Sequence, residues 1–368
     1  VLEKINAIIR REMQAVGGVE VLLTSLQNPT LWQETGRWSD EAVDVWFKTK
    51  LKNESELGLG LTHEEPVTAL MREHIKSYRD LPRAVYQIQT KFRNEVRAKS
   101  GLLRGREFLM KDLYSFHTDA TDLDVFYNTM QQAYRNIFNK IGIGKQTYLT
   151  FASGGMFSKY SHEFQTITTA GEDTIYVSED KNLAVNKEVC TDEVLAELGV
   201  SKNELIPRQA IEVGNIFKLG TRFSTALGLN YTSQSGEQLP VVMGSYGLGP
   251  TRLLGAIAEV CSDEHGLMWP ASVAPFTVHL IQLGQKSEKV AEAASKIYHE
   301  LTQAGVEVLW DDRDLTAGEQ LADADLIGLP WRLVVSERAL AECKFELKKR
   351  AMGEVIHCAA SEILKVIR

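Results

Sequence analysis

Residues 91–117 read KFRNEVRAKSGLLRGREFLMKDLYSFH, and the rest of the chain is interpreted outward from them. Phe92-Arg93-Asn94-Glu95 ends one run of strand-forming residues. A loop rich in glycine and basic residues follows, with Ser100-Gly101 at its turn, and Phe108, Met110 and Asp112 return at period two. That pattern predicts an antiparallel hairpin. Arg93 follows apolar Phe92 at the strand end, which predicts that it projects from a sheet face into a site. Its planar fork suits a phosphate or a carboxylate. Phe108 offers a flat face for a base, and Glu95 offers acceptors for an exocyclic amine. An exposed basic hairpin with a cross-strand ion pair would explain any one of these residues, but not the ordered set.

F-R-x-E, a loop, then R-x-x-x-F-x-x-x-D resembles motif 2 of the class II aminoacyl-tRNA synthetases, which grips ATP. The extension REFLMKDLYSFH resembles the bacterial-type prolyl-tRNA synthetases. This resemblance implies an α/β (α+β) chain. An antiparallel class II sheet flanked by helices would span 1–274, and an α/β anticodon-binding domain 275–368.

Other segments carry the same resemblance in the family's order. Leu2, Ile5, Ile8, Ile9, Met13 and Val16 predict a helix stopped at Gly17-Gly18. The strand expected at Glu20 to Leu23 resembles the dimer-forming motif 1, with Thr24 where the family has proline. Leu31-Trp32-Gln33-Glu34-Thr35-Gly36-Arg37-Trp38 is similar to the family's LW-x-E-S/T-GRW segment, although two tryptophans at a Gly-Arg turn also suit a packed loop. Thr62-His63-Glu64 follows the glycine-broken strand GLGLT and precedes Pro66, normal helix-start chemistry. It also matches the T-x-E loop, whose Thr and Glu meet a secondary ammonium. His63 is read as structural.

Ser161-His162-Glu163-Phe164 resembles the S-H-E-F strand, which makes His162 a pocket-wall candidate without a proton-transfer role. Residues 212–220, EVGNIFKLG, resemble E-V-G-H-I-F-x-L-G, with Asn215 in place of the usual His. Here the resemblance places Glu212 on the ATP side, with ribose or Mg²⁺, and Phe217 at the amino acid. Ser245 and Gly247-Leu248-Gly249-Pro250-Thr251-Arg252 resemble motif 3, whose arginine opens a helix and contacts the γ-phosphate. Residues 172–211 stand where bacterial relatives carry an editing domain of well over a hundred residues. That is too short for an independent hydrolytic unit, so no cis-editing is expected. Residues 40–56 receive no assignment.

Beyond the linker around Trp269-Pro270 and Ala274-Pro275, alternating strand and helix patterns predict a small parallel or mixed sheet. Asp312-Arg313 and residues 326–330, LIGLP, resemble the anticodon-binding domain of the Gly/His/Pro/Thr synthetases. Asp312, Arg313, Lys344 and Lys348 are the candidate tRNA anticodon contacts, with Lys349 and Arg350 nearby.

Composition sets the outer bounds. The 368 residues are 44% hydrophobic and 24% charged, which suits two folded domains. No apolar run approaches the ~20 residues of a membrane span, and the start, VLEKINAIIRREM, lacks a secretory apolar core. That start resembles an entry in mid-fold, so a preceding strand is expected. Four cysteines without a C-x-x-C pair indicate neither a zinc knuckle nor a disulfide framework and suit a reducing cytoplasm. A net charge of -8 leaves RNA binding to local patches.

The resemblance therefore implies a proline--tRNA ligase, expected to be a cytoplasmic homodimer with no membrane association. It would use ATP with Mg²⁺, L-proline and tRNA(Pro), without a resident metal. Arg93 would neutralise the α-phosphate and the substrate carboxylate, and Arg252 would hold the γ-phosphate. Glu95 and Phe108 would hold adenine, with Arg104 on the phosphate side. Thr62, Glu64, Arg93, Met110, His162, Phe217 and Ser245 would form the proline site. A non-catalytic synthetase-like protein is one rival, and a class II enzyme for threonine or glycine is another.

Overall fold

A computed structural model describes residues 1–96, 98, 100–154, 160–284 and 286–368. They form two compact units, Leu2–Ala256 and Ile257–Arg368. Arg97 and Lys99 of the basic loop lie outside the described residues.

The first unit is built on a nine-stranded sheet. Its strands are β1 (Val19–Glu20), β2 (Arg83–Phe92), β3 (Glu107–His117), β4 (Thr147–Ser153), β5 (Tyr160–Ile167), β6 (Asp173–Ser178), β7 (Leu183–Asn186), β8 (Ile206–Gly220) and β9 (Val242–Leu248). Across the sheet their order is β1-β2-β3-β9-β8-β5-β4-β7-β6. The pairings are antiparallel except β1–β2 and β4–β7. The hairpin expected from residues 91–117 is β2–β3, in register from Arg83 opposite Phe116 to Phe92 opposite Glu107. β1 pairs only Val19 and Glu20, so of the strand expected at 20–23 it contains Glu20 alone.

One face of this sheet is covered by helix α1 (Leu2–Ala15) and the long helix α3 (Ala120–Lys140). The carboxylate of Asp119 caps α3 by accepting from the Asp122 amide. The apolar face of α3, including Tyr127, Met130, Tyr134 and Phe138, is buried. Tyr134 and Phe138 pack their rings at 5.2 Å from Phe164 of β5. Helix α2 (Glu64–Met71) lies beside the opposite face, where Val67 and Met71 pack with Tyr114, Phe116 and Phe223.

Residues 172–211 extend the sheet. β6 and β7 pair with each other and with neighbouring strands, and Asp192–Glu197 forms one helical turn and a half over Val185. Residues 40–56 complete a three-stranded antiparallel sheet of Leu26–Gln27, Glu56–Leu59 and Lys48–Lys50. Gly58 is required there, because a Cβ would lie 2.4 Å from the ring of Trp46.

The second unit carries β10 (Val278–Gln282), β11 (Val308–Asp311), β12 (Trp331–Val335), β13 (Phe345–Lys349) and β14 (Glu354–Cys358) in the order β11-β10-β12-β13-β14. The first three are parallel, and β13 and β14 add antiparallel. Helix α5 (Glu288–Gln303) buries Val290, Ala294, Ile297 and Leu301 against the sheet. Helix α6 (Ala317–Ile327) starts at a Thr316–Glu319 capping box and ends at Gly328 in the left-handed region. No helix among the described residues is long and apolar enough to cross a membrane.

Candidate active site

A cavity of about 500 Å³ lies over the face of β3, β8 and β9 opposite α3. Its rim and floor bring together Thr62, Glu64, Arg93, Glu95, Arg104, Phe108, Met110, Glu212, Phe217, Ser245 and Arg252. These residues come from six separate segments of the chain, so their convergence is a property of the fold.

Thr62 and Glu64 sit where the strand Glu56–Leu59 gives way to α2. The Thr62 hydroxyl lies 2.8 and 2.7 Å from the two Glu64 carboxylate oxygens. Arg37 Nη1 donates to Glu64 at 3.2 Å and to Glu65 at 2.9 Å. All three charged groups are almost wholly removed from water. Two carboxylates share one guanidinium here. Burial together with the neighbouring Glu64 charge pushes Glu65 up to about 7, against the pull of Arg37. Arg37 also lies 5.1 Å from the centre of the Trp32 ring, so the L-W-x-E-T-G-R-W segment supplies both packing and a charge at the cavity wall.

Arg93 follows the last residue of β2. Its Nε donates to the Leu61 carbonyl at 3.2 Å, and its guanidinium stands 5.4 Å from the Phe108 ring centre. Burial lowers its pKa while Glu212 opposes that shift. The guanidinium keeps its charge at neutral pH. It therefore stands as a cation between the Thr62–Glu64 end and the Phe108 end.

At that second end Arg252 opens helix α4 (Pro250–Val260). Its Nε donates to the Leu103 carbonyl at 2.9 Å and its Nη1 to the Glu212 carbonyl at 2.8 Å, with the Glu212 carboxylate at 3.4 Å. Asn215, where the family has His, donates its amide to Glu212 at 2.9 Å. Arg104 is bound by two carboxylates, Glu95 at 3.0 Å and Glu172 at 2.8 Å. Glu95 is thus engaged by Arg104 in this structure. Behind Glu212, burial and the Glu212 charge push Glu163 up to about 8, and burial raises Asp173 as well.

One candidate is not brought to the cavity. His162 pairs with Ile216 across β5 and β8, on the face that meets α3. Its Nδ1 lies 2.9 Å from the Tyr127 hydroxyl and its ring 5.6 Å from Phe151. Cavity-lining Phe217 instead pairs with Ser245 of β9. A β-bulge between Glu212 and Gly214 brings Glu212, Asn215 and Phe217 to one wall despite their odd and even spacing. Residues 40–56 contribute Ala42, Val43, Asp44 and Val45 to the wall, and the Val45 carbonyl accepts from the Asn94 amide at 2.9 Å. Nothing in their composition signals this, because the contact is made through the backbone.

In the second unit, Arg313 grips Asp311 with two bonds of 2.8 Å and Asp323 with another. Lys348 lies 3.2 Å from both Asp325 oxygens. Asp312 and Lys344 are exposed. Arg350 is buried, with its fork on the Asp263 carboxylate at 2.8 and 2.6 Å, so it is not a free phosphate contact.

Residues 47–261 match the tRNA synthetase class II core domain (G, H, P, S and T), and residues 277–368 match the anticodon binding domain. The proline--tRNA ligase of Rhizorhabdus wittichii is 37% identical over 386 aligned positions, covering 99% of this chain and 88% of that one. The chain belongs to the prolyl-tRNA synthetase family. A Wolbachia proline--tRNA ligase is 40% identical over 366 positions, covering 96% of this chain and 85% of the relative. The Geobacillus sp. (strain WCH70) enzyme is 33% identical, covering all of this chain and 91% of its own. That alignment runs over 517 positions, so the Geobacillus synthetase carries well over a hundred residues for which this one has no counterpart.

Solved prolyl-tRNA synthetases share the fold. The Giardia lamblia enzyme, in complex with prolyl-adenylate, superposes with a TM-score of 0.79 at 19% identity, over 98% of this chain and 69% of that one. The Cryptosporidium parvum enzyme, with halofuginone and AMPPNP, gives 0.80 at 18% identity, over 99% and 69%. Apart from Arg37 and residues 42–45, the residues lining the cavity lie within the class II core match.

Proposed function

We propose that this chain activates L-proline with ATP and transfers the prolyl group to tRNA(Pro). The observation that carries this reading is the position of Arg93 between a carboxylate–hydroxyl pair at one end of the cavity and an arginine–aromatic end at the other. An amino acid whose ammonium meets Glu64 and Thr62 directs its carboxylate toward Arg93. One carboxylate oxygen attacks the ATP α-phosphorus in line, forming the mixed anhydride as the bond to the bridging oxygen breaks and pyrophosphate leaves. No protein nucleophile is consumed; positioning and charge stabilisation supply the rate.

In this reading Arg93 neutralises the α-phosphate and the attacking carboxylate. Arg252 holds the γ-phosphate, and Phe108 stacks on adenine. Met110, Phe217 and Ser245 wall the proline ring. Arg104 moves off Glu95 onto the phosphates when adenine arrives, which frees the carboxylate for the exocyclic amine. The Giardia enzyme's complex with prolyl-adenylate and the Cryptosporidium enzyme's with AMPPNP support ATP-dependent proline activation on this fold.

Oxygen donors suit Mg²⁺, which is usually held by one or two carboxylates together with substrate phosphates. Glu212 fits that role, since its carboxylate lines the cavity, and burial together with its charge raises the neighbouring Glu163. Among the described residues no group of three or more His, Cys, Asp or Glu is disposed to hold a metal by itself. When bound, Mg²⁺ would neutralise phosphate charge.

The functional division falls at 274/275, with 172–211 as a shortened insertion that supplies sheet and no hydrolytic site. Mischarged Ala-tRNA(Pro) is then not cleared in cis. Asp312, Arg313, Lys344 and Lys348 contact the anticodon, and the enzyme works in the cytoplasm, a reading supported by its four free cysteines. The exposed apolar residues Val19, Leu22 and Leu26 near β1 support a homodimer.

Amino-acid-dependent ATP–pyrophosphate exchange with proline, alanine, threonine and glycine tests the reading. Exchange with proline, with alanine far behind, is the expected result. Exchange with none of the four, or preferentially with threonine or glycine, overturns it.

A further inference from the structure

Beneath the Thr62–Glu64 loop lies a polar layer that takes no part in the mechanism above. Lys91 of β2 is fully buried, with its ammonium 2.9 Å from Asp112 and 2.7 Å from His63 Nδ1. An ammonium only donates, so His63 Nδ1 accepts and the ring proton sits on Nε2. That nitrogen faces the Thr24 carbonyl at 3.0 Å. The neutral imidazole agrees with burial and the adjacent Lys91 charge, which together lower His63 to about 4.

The same layer reaches Glu64 by two routes. Along the chain, the His63 amide donates to the Tyr114 hydroxyl at 3.0 Å, which fixes the backbone immediately before Glu64. Through side chains, the Tyr114 hydroxyl lies 3.1 Å from Asp112 and 3.4 Å from Glu64. Gln87 donates to Asp112 at 3.0 Å from the other side. Asp112 and Tyr114 line the cavity; Lys91 and His63 do not. A buried ammonium and a buried imidazole are costly unless fully paired. Here both are paired: Lys91 also reaches the Gln89 side chain at 3.5 Å and His63 the Gln27 amide at 3.3 Å, while Asp112 leads through Tyr114 to the amino-acid end.

We infer that Lys91 and His63 are positioning residues for proline selection, forming a buried strut that holds the Glu64 carboxylate where the secondary ammonium of the substrate will sit. Lys91 fixes His63 and neutralises Asp112. His63 ties the T-x-E loop to the backbone at Thr24, the position where this chain departs from the family's proline. Neither residue reaches the ATP end, so their removal separates the two substrates kinetically.

This inference rests on reading Glu64 as the group that meets the substrate ammonium. Proline-dependent exchange by the unaltered chain tests that reading first, and its failure there is distinct from failure of the strut. In the full chain, Lys91→Met is expected to raise the KM for proline about 10-fold or more, as for loss of a bond to a charged buried group. The KM for ATP should stay within about 2-fold, inside the range for which no such bond is lost. His63→Gln, uncharged and similar in size, keeps the test open if Lys91→Met does not fold. It should move the proline KM in the same direction and leave the ATP KM alone. A folded variant, judged by its thermal melt, that leaves the proline KM unchanged overturns the inference. So does one that raises both KM values equally.

Discussion

At the Thr62–Glu64 end of the cavity the charges are paired and out of water, whereas at the Arg104–Glu95 end the pairs stand in solvent. Arg37 and Glu64 each keep 5% of their side-chain exposure. Arg104 keeps 43%, and its partners Glu95 and Glu172 keep 20% and 26%. A buried pair cannot rearrange without leaving a charge uncompensated, while a solvated pair exchanges partners at little cost. In the proposed mechanism, the end that selects the amino acid is therefore rigid before the substrate arrives, and the end that takes ATP is held by ion pairs that phosphate oxygens can displace. Arg93 lies between the two regimes, and the largest effect is expected there. Arg93→Ala should lower proline-dependent pyrophosphate exchange by about 10²–10³-fold or more, the usual loss when one stabilising donor is removed from a transition state. Exchange within a few-fold of the parent would remove Arg93 from the mechanism.

The rigid end carries its own pH signature. Glu65 titrates at about 7 in the folded chain against an ordinary 4.5. A carboxylate with a raised folded pKa binds more protons folded than unfolded between those values. Its contribution to stability is therefore present below pH 4.5 and lost as pH rises toward 7. His63, lowered from 6.5 to about 4, works in the opposite sense over its own window: its contribution is lost as pH falls from 6.5 to 4. Whole-protein melts thus mix the two, and the difference between parent and variant isolates one. Glu65→Gln should gain stability relative to the parent as pH rises from 5 to 8. A difference that stays flat with pH would mean that Glu65 is already ionised beside Arg37.

The sequence exposed these two regimes unequally. The β2–β3 hairpin was legible because its alternation and its turn agree, and Arg93 and Phe108 fall where that register puts them. His162 was placed on the wrong face because β5 is buried on both sides, so alternation says only that successive residues differ. The bulge at Glu212 to Gly214 then breaks the count in the neighbouring strand. Arg37 read as part of a packed loop, since its partners Glu64 and Glu65 lie more than twenty-five residues away in sequence. The wall supplied by residues 42–45 left no trace at all. In the second unit, the antiparallel pair β13–β14 was masked by its charge, because Lys348 and Arg350 turn inward onto Asp325 and Asp263.

The solvated end predicts smaller effects. Arg104→Ala should raise the KM for ATP about 10-fold while leaving that for proline unchanged, as for one charge-assisted bond to substrate. Equal changes for both substrates would place Arg104 in the fold and not in the ATP site.

Glu172 gives the smallest effect and the sharpest comparison. It belongs to the start of the shortened insertion and accepts from Arg104 at 2.8 Å, while Glu95 accepts from the same guanidinium at 3.0 Å. If ATP must recruit Arg104 from these two carboxylates, Glu172 competes with the phosphates. Glu172→Gln should then lower the KM for ATP, by no more than about 5-fold, because a half-exposed ion pair contributes only about 0.2–1 kcal/mol. If Glu172 instead holds Arg104 in its working position, the same substitution raises the KM for ATP. The sign of a small change therefore decides whether the remnant of the insertion restrains the ATP end or completes it. Arg104→Ala in the same background shows whether the effect passes through that guanidinium, since the Glu172→Gln shift should vanish when Arg104 is absent.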